Sequence, residues 1–282
     1  MIGPLARTLR FVRFSHTVFA LPFALGSMLV AAHGMPEPRI VGLIVLAMVA
    51  ARTAAMTFNR LADWQLDQRN PRTAARHTLI SRAGAVALLV ASSAAFVAAT
   101  WFINPLCFRL SPVAIIIIFF YSLTKRFTSL SHFFLGLALS VAPVGAWLAV
   151  RGQFALPPLV LALAVLLWVA GFDMIYATQD HEFDRDAGLH SWVVRVGVPA
   201  ALVWAQRLHW SMLAVLAAFG WCAQLGVAFW ASLALVASAL AYEHRSAARL
   251  DVEGVNRAFF NANAFVGLVF VAAVFVDEVL LR

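Results

Sequence analysis

The sequence predicts an all-α membrane protein built as a bundle of nine transmembrane helices. Of its 282 residues, 63% are hydrophobic and only 12% charged, whereas a soluble domain carries about a quarter charged residues. Apolar stretches long enough to cross a hydrocarbon core of roughly 30 Å recur along the chain, separated by short polar connections. That leaves no room for a separate soluble domain, so residues 1–282 are expected to form a single transmembrane domain.

In order, the spans are expected at 15–33, 39–58, 83–104, 110–124, 131–150, 157–179, 200–220, 225–242 and 258–279. Proline, glycine and polar clusters punctuate them, as at His33-Gly34-Met35-Pro36, Asn104-Pro105 and Arg151-Gly152-Gln153. Basic residues before an apolar run give Met1 to Ala32 the outline of a signal peptide, but further spans follow, so the run from Val18 is read as the first span. Arg207 and His209 interrupt the first half of the seventh. Cys107 and Cys222 lack paired or metal-ligand spacing and are read as packing residues.

Charge fixes the orientation. With the N-terminus in the cytoplasm, sixteen of the 21 Lys and Arg fall on inner segments, while only Arg39, Arg109, Arg151 and Arg282 fall outside and Arg52 lies within the second span. This places the chain in the inner (cytoplasmic) membrane with its C-terminus outside. The net charge of +8 comes without interleaved basic and aromatic residues, so membrane lipid and a diphosphate are expected partners and nucleic acid is not.

The same orientation gathers acids on one side. Asn59, Asp63 and Asp67 continue from the second span at a spacing of four, on one helical face. Two carboxylates so placed repel unless a cation lies between them, and Mg²⁺ favours a few carboxylates plus phosphate oxygens. A solvated helix end is the competing explanation. In the second cluster, at 100° per residue, Asp180 and Asp184 fall within about 20° of Asp173, and Tyr176 lies about 60° away. Asp186 points elsewhere.

Asp173 lies inside a span, where a carboxylate costs about 2.5–3.5 kcal/mol, so it should face an internal cavity; pairing with the equally embedded Arg52 is the structural alternative. Arg52 stands about two turns deeper than Asn59 and is suited to an acceptor carboxylate. Lys125 and Arg126, ending the fourth span, and Arg13, starting the first, can neutralise diphosphate oxygens, although membrane anchoring also explains basic residues at these places. His16, His132 and His190 are read as hydrogen-bonded interfacial histidines, since the eight histidines show no metal spacing.

Asn59-Arg60-x-x-Asp63-x-x-x-Asp67 and Asp173-x-x-Tyr176-Ala177-x-x-Asp180-x-x-x-Asp184 resemble the two signature motifs of the UbiA superfamily of intramembrane prenyltransferases. The segment Tyr121 to Arg126 and the nine-span layout match as well. The resemblance implies a bundle around a central cavity open to the cytoplasmic side. It implies two Mg²⁺ ions held by Asn59, Asp63, Asp67, Asp180 and Asp184, with the diphosphate of an isoprenyl donor between them. Arg60, Lys125 and Arg126 would assist, and Asp173 and Tyr176 would lie by an aromatic acceptor.

Hydroxybenzoate-type members resemble the chain with departures at Phe183 and His190. Gln179 to Asp184, Gly188-Leu189-His190-Ser191, Ser15-His16-Thr17 and Phe19 to Phe23 look like the branch that prenylates a dihydroxynaphthoate in the alternative menaquinone route. The implied reaction is transfer of an isoprenyl chain to 4-hydroxybenzoate or a dihydroxynaphthoate in ubiquinone or menaquinone biosynthesis. Two alternatives stand beside it: a secondary transporter of an anionic solute, for which Asp173 and Arg52 would suit, and the same fold acting on a non-aromatic or macrocyclic acceptor.

Overall fold

The computed structural model describes residues 3–13, 19–248 and 252–282, and every element among them is helical. In chain order they are α1 (Pro4–Phe11), α2 (Leu21–Ala32), α3 (Pro38–Ala62), α4 (Trp64–Arg69), α5 (Arg82–Ile103), α6 (Pro105–Thr124), α7 (Ser131–Arg151), α8 (Leu156–Ala177), α9 (His181–Asp186), α10 (Trp192–Val196), α11 (Val198–Cys222), α12 (Val227–Ala247) and α13 (Val252–Phe275). Short 3₁₀ turns occupy Ala74–Thr78 and Thr178–Asp180, and a π turn closes Val276–Leu280.

Local sequence explains the boundaries. Proline sits in the first turn of α2, α3, α6, α8 and α11, where its missing N–H costs nothing. Ser81 caps α5 by accepting from Gly84 N at 3.1 Å, and Asn104 caps α6 by accepting from Cys107 N at 2.8 Å. Gly152 ends α7 with φ at +66°. At the opposite end of the chain Asp277, buried, accepts from the first N–H groups of α12, Ala228 at 3.1 Å and Phe229 at 2.9 Å.

Among the described residues, eight segments are long and apolar enough to cross a membrane: α3, α5, α6, α7, α8 continued to Asp186, α11, α12 and Phe259–Leu280. Outward side chains such as Val90, Ile116, Leu163 and Trp221 are exposed and apolar, as lipid-facing groups are. The chain is thus a multi-pass membrane protein. Of the expected first span the described residues show α2, whose twelve residues rise about 18 Å; residues 15–18 of that span, with His16, lie outside the described residues. The expected fourth span starts earlier, at Pro105.

The bundle packs α2 on α7 and α13, α7 on α8, and α8 on α11. Phe19, Phe23, Trp168, Phe172 and Phe270 fill the centre in edge and stacked contacts, among them Phe23 on Phe270 at 4.6 Å. The polar interruption in the seventh span has a structural cause. His209 is buried against the back of α8, with Nε2 3.1 Å from Trp168 O and Nδ1 2.9 Å from His244 Nε2, while Asn263 donates to Glu243 at 2.7 Å. Arg207 stays outside, over the Trp204 ring.

Close approach of α7 and α8 rests on Gly136, where a Cβ would stand 2.5 Å from the carbonyl oxygen of Leu166. Gly136→Ala should push these helices apart and lower stability by about 1–3 kcal/mol, seen as a lower Tm in detergent. Gly145→Ala on the same helix meets open space and should change Tm little. Equal Tm values for the two variants would contradict this packing.

Candidate active site

Two helix ends meet at one end of the bundle. α3 stops at Ala62 and α4 resumes at Trp64, yet Asp63 N still bonds Asn59 O at 2.9 Å and Asp67 N bonds Asp63 O at 2.7 Å. The helical spacing survives the break, so Asn59, Asp63 and Asp67 keep one side. Opposite them α8 tightens into the turn Thr178–Asp180 and reopens as α9, leaving Asp180 and Asp184 buried. Asp186 is exposed and bonds the adjacent Arg185 at 3.2 Å.

Each of the four carboxylates is held by a cation. Arg126 donates to Asp63 at 2.8 Å and to Ala62 O at 2.8 Å. Arg60 and Arg76 reach Asp67 at 3.3 and 3.0 Å. Arg72 clamps Asp180 with two bonds of 2.9 and 2.5 Å, joined by Asn70 at 3.3 Å. Lys125 lies 3.5 Å from Asp184. The hydroxyl of Tyr176 accepts from Arg13 at 3.0 Å and Arg72 at 2.9 Å. Arg13 is aimed there by a left-handed residue conformation, φ +47°, just after α1.

Burial shapes the charges. It pushes the Asp63 carboxyl above its ordinary value, with Arg126 and Lys125 countering only in part. At Lys125 burial pulls the ammonium down, but Asp184, Asp173, Asp180 and Asp63 together raise it above its ordinary value. Burial and the neighbouring Arg60 lower Arg76 to about 10, so it remains a cation at neutral pH.

Deeper in the bundle Asp173 is paired with His132 rather than with Arg52: His132 Nδ1 lies 2.6 Å from Asp173 Oδ2. This overturns the structural alternative for Asp173. His132 is hydrogen-bonded, as expected, and its ring is fully buried in the first turn of α7. The exposed His190 instead ties two connections together through its backbone N–H to Lys125 O at 2.7 Å.

A cavity of about 250 Å³ is lined by Arg13, Arg52, Asn59, Arg60, Asp63, Asp67, Lys125, Arg126, Asp173, Tyr176, Asp180 and Asp184, all singled out from sequence. Asn70, Arg72, Thr73 and Arg76 also line it and were not. The only signal for them was a run of arginines directly after the acidic helix end, which membrane anchoring explains equally well. A second, mostly apolar cavity of about 490 Å³ shares Arg52, Met56, Tyr121, Leu135 and Leu139 with the first. Small residues of α3 and α7, among them Ala47, Ala51, Ala55, Ala138 and Ala142, leave the space open.

Among the described residues no three His, Cys, Asp or Glu side chains converge on one metal-sized point. The donor set nonetheless fits a hard cation that brings its own anionic ligands, since four carboxylates and the Asn59 amide supply oxygens without forming a full cage. A charged mouth facing an apolar chamber suits an amphiphile with an anionic head and a hydrocarbon tail.

Comparison with known proteins agrees. Residues 20–269 match the model of the UbiA prenyltransferase family. The 4-hydroxybenzoate octaprenyltransferase of Vibrio atlanticus is 31% identical over 265 residues, covering 92% of each chain. That of Saccharophagus degradans is 31% identical over 91% of this chain and 86% of its own. Among solved structures, the apo UbiA homolog from Aeropyrum pernix K1 superposes with a TM-score of 0.84 at 32% identity, covering 93% of this chain and 98% of that one. The Archaeoglobus fulgidus homolog bound to GPP and Mg²⁺ shares the fold, with a TM-score of 0.75 at 24% identity over 96% and 99% of the chains. With its family match spanning most of its length, this chain belongs to the UbiA prenyltransferase family.

Proposed function

We propose that the chain transfers an isoprenyl group from an allylic diphosphate to an aromatic acid, 4-hydroxybenzoate or a dihydroxynaphthoate, on the way to ubiquinone or menaquinone. The observation that carries this reading is the charged cavity joined to the apolar one through Arg52 and Tyr121. The names of the relatives given above favour 4-hydroxybenzoate, while the strings around Asp180 and Ser191 resemble the naphthoate branch. Family membership sets the transporter alternative aside.

In this reading Asn59, Asp63 and Asp67 on one side and Asp180 and Asp184 on the other hold two Mg²⁺ ions together with the donor diphosphate. When bound, the metals supply Lewis acidity to the leaving group. Arg13 together with Arg60, Arg72, Lys125 and Arg126, whose present pairs with carboxylates must open, neutralises the remaining phosphate charge. Apolar walls keep water from the allylic cation and take the tail. Arg52 pairs with the acceptor carboxylate, and Asp173 and Tyr176 meet the ring, orienting it and receiving its proton. Residues 1–282 act as one domain.

The two layers should separate in binding and turnover. Asp63→Asn, Asp67→Asn, Asp180→Asn and Asp184→Asn should each lower turnover by at least about 100-fold and weaken Mg²⁺-dependent binding of a geranyl thiodiphosphate, as chelator does. Asp173→Asn and Arg52→Gln should lower transfer strongly, leaving a measurable remainder, but keep that binding in calorimetry. Donor binding lost as fully in the deeper variants as in Asp63→Asn would contradict the division.

The reading also places the site on the cytoplasmic side of the inner membrane, with nine spans, the N-terminus inside and the C-terminus outside. Cysteines introduced within 68–82 and 181–196 should both label from the cytoplasm, using intact cells against inverted vesicles. Labelling from opposite sides is incompatible with a shared site.

A further inference from the structure

His132 and Asp173 form a pair that the proposed reaction leaves unexplained. The ring of His132 is fully buried, and its Nδ1 lies 2.6 Å from Asp173 Oδ2. Its second nitrogen, Nε2, is buried with no partner among the described residues. Asp173 remains 22% exposed by side chain and lines the charged cavity.

The chemistry of the ring decides where its proton sits. A neutral imidazole has one N–H and one lone pair, and a buried N–H without an acceptor costs about 1–3 kcal/mol. A proton on Nε2 would create that orphan and would also require Asp173 to carry a proton of its own to make the 2.6 Å contact. With the proton on Nδ1, the ring donates to the carboxylate and only a bare lone pair is left at Nε2. The first turn of α7 adds to this preference, because it has no side-chain cap and no acid of its own, and its partial positive charge favours an anion beside it.

From this geometry we propose that His132 is a positioning residue for Asp173. As the neutral Nδ1–H tautomer it engages Oδ2, leaving Oδ1 as the oxygen presented to the acceptor. The inference rests on the acceptor role proposed above for Asp173. In that step the allylic C–O bond breaks with its electrons leaving on diphosphate, and a ring carbon forms the new C–C bond. The ring C–H bond then breaks, its electrons restore aromaticity and its proton passes to Oδ1 of Asp173. The pair has the arrangement of an oriented base, with the orienting and accepting partners exchanged relative to a His base held by an Asp.

The test uses the full chain in nanodiscs. Nitrogen-15 histidine NMR, with the His132 signal assigned by its loss in His132→Phe, should show a neutral ring protonated at Nδ1, with a signature that changes in Asp173→Ala. In kinetics with Mg²⁺, geranyl diphosphate and an accepted aromatic acid, His132→Phe should lower kcat roughly 100-fold while geranyl thiodiphosphate binds unchanged. His132→Asn, whose amide N–H stands near the place of Nδ1, should recover at least about a tenth of wild-type kcat. In an Asp173→Asn background His132→Phe should cause no further loss.

A ring protonated at Nε2, or on both nitrogens, overturns the proposal, as do equal losses in His132→Asn and His132→Phe, multiplicative losses in the double variant, or an unchanged kcat. If the wild type transfers to no acid offered, the proposed reaction fails while the NMR result still decides the tautomer.

Discussion

Four carboxylates at the end of a helix bundle must each be neutralised, and the site is organised around that requirement. Asp63, Asp67, Asp180 and Asp184 come from two distant stretches of chain, and their cations come from three: Arg60 on α3, Arg72 and Arg76 beyond α4, and Lys125 and Arg126 after α6. Removing one partner of these partly buried pairs leaves the other charge without its counter-ion. The pairs therefore do more than decorate the helix ends. Arg72 on Asp180 and Tyr176 ties the connection after α4 to the α8 end, and His190 on Lys125 ties the connection after α9 to the α6 end. The same pairs are what a diphosphate and its metals would exchange with, since each carboxylate already accepts from a cation and each cation already binds an anion.

The layout beyond that layer follows from burial. Small side chains on α3 and α7 leave an apolar chamber under the charged mouth, and Arg52 and Tyr121 stand where the two meet. Gly136 lets α7 approach α8 closely enough for His132 to reach Asp173. On the other face of α8, His209 bonds the Trp168 carbonyl and fits beside Gly171, so the helix carrying Asp173, Tyr176 and Asp180 is fixed from both sides.

Much of this was legible in the sequence because its carriers are local. A spacing of four announces Asn59, Asp63 and Asp67, helical periodicity joins Asp173 to Asp180 and Asp184, and hydropathy marks the long spans. Less was legible where one pattern has two causes. Arg72 and Arg76 look like any inner-loop arginines under the positive-inside rule, and only tertiary structure turns them toward Asp180 and Asp67. The His132–Asp173 contact joins residues 41 apart with no periodic relation, so Arg52, the other embedded charge, was the natural but wrong partner to pick. Of the expected first span the described residues show only the twelve-residue α2, because an apolar run does not report where its helix begins.

The central claim is that the charged mouth and the apolar chamber serve prenyl transfer to an aromatic acid. Mass spectrometry of the products formed by the purified chain with Mg²⁺, geranyl diphosphate and a panel containing 4-hydroxybenzoate and dihydroxynaphthoates tests it most directly. The account predicts an acid that has gained one geranyl group in place of a ring hydrogen, formed only with the divalent metal present. Intact donor, or hydrolysed donor with every acid unmodified, would contradict it.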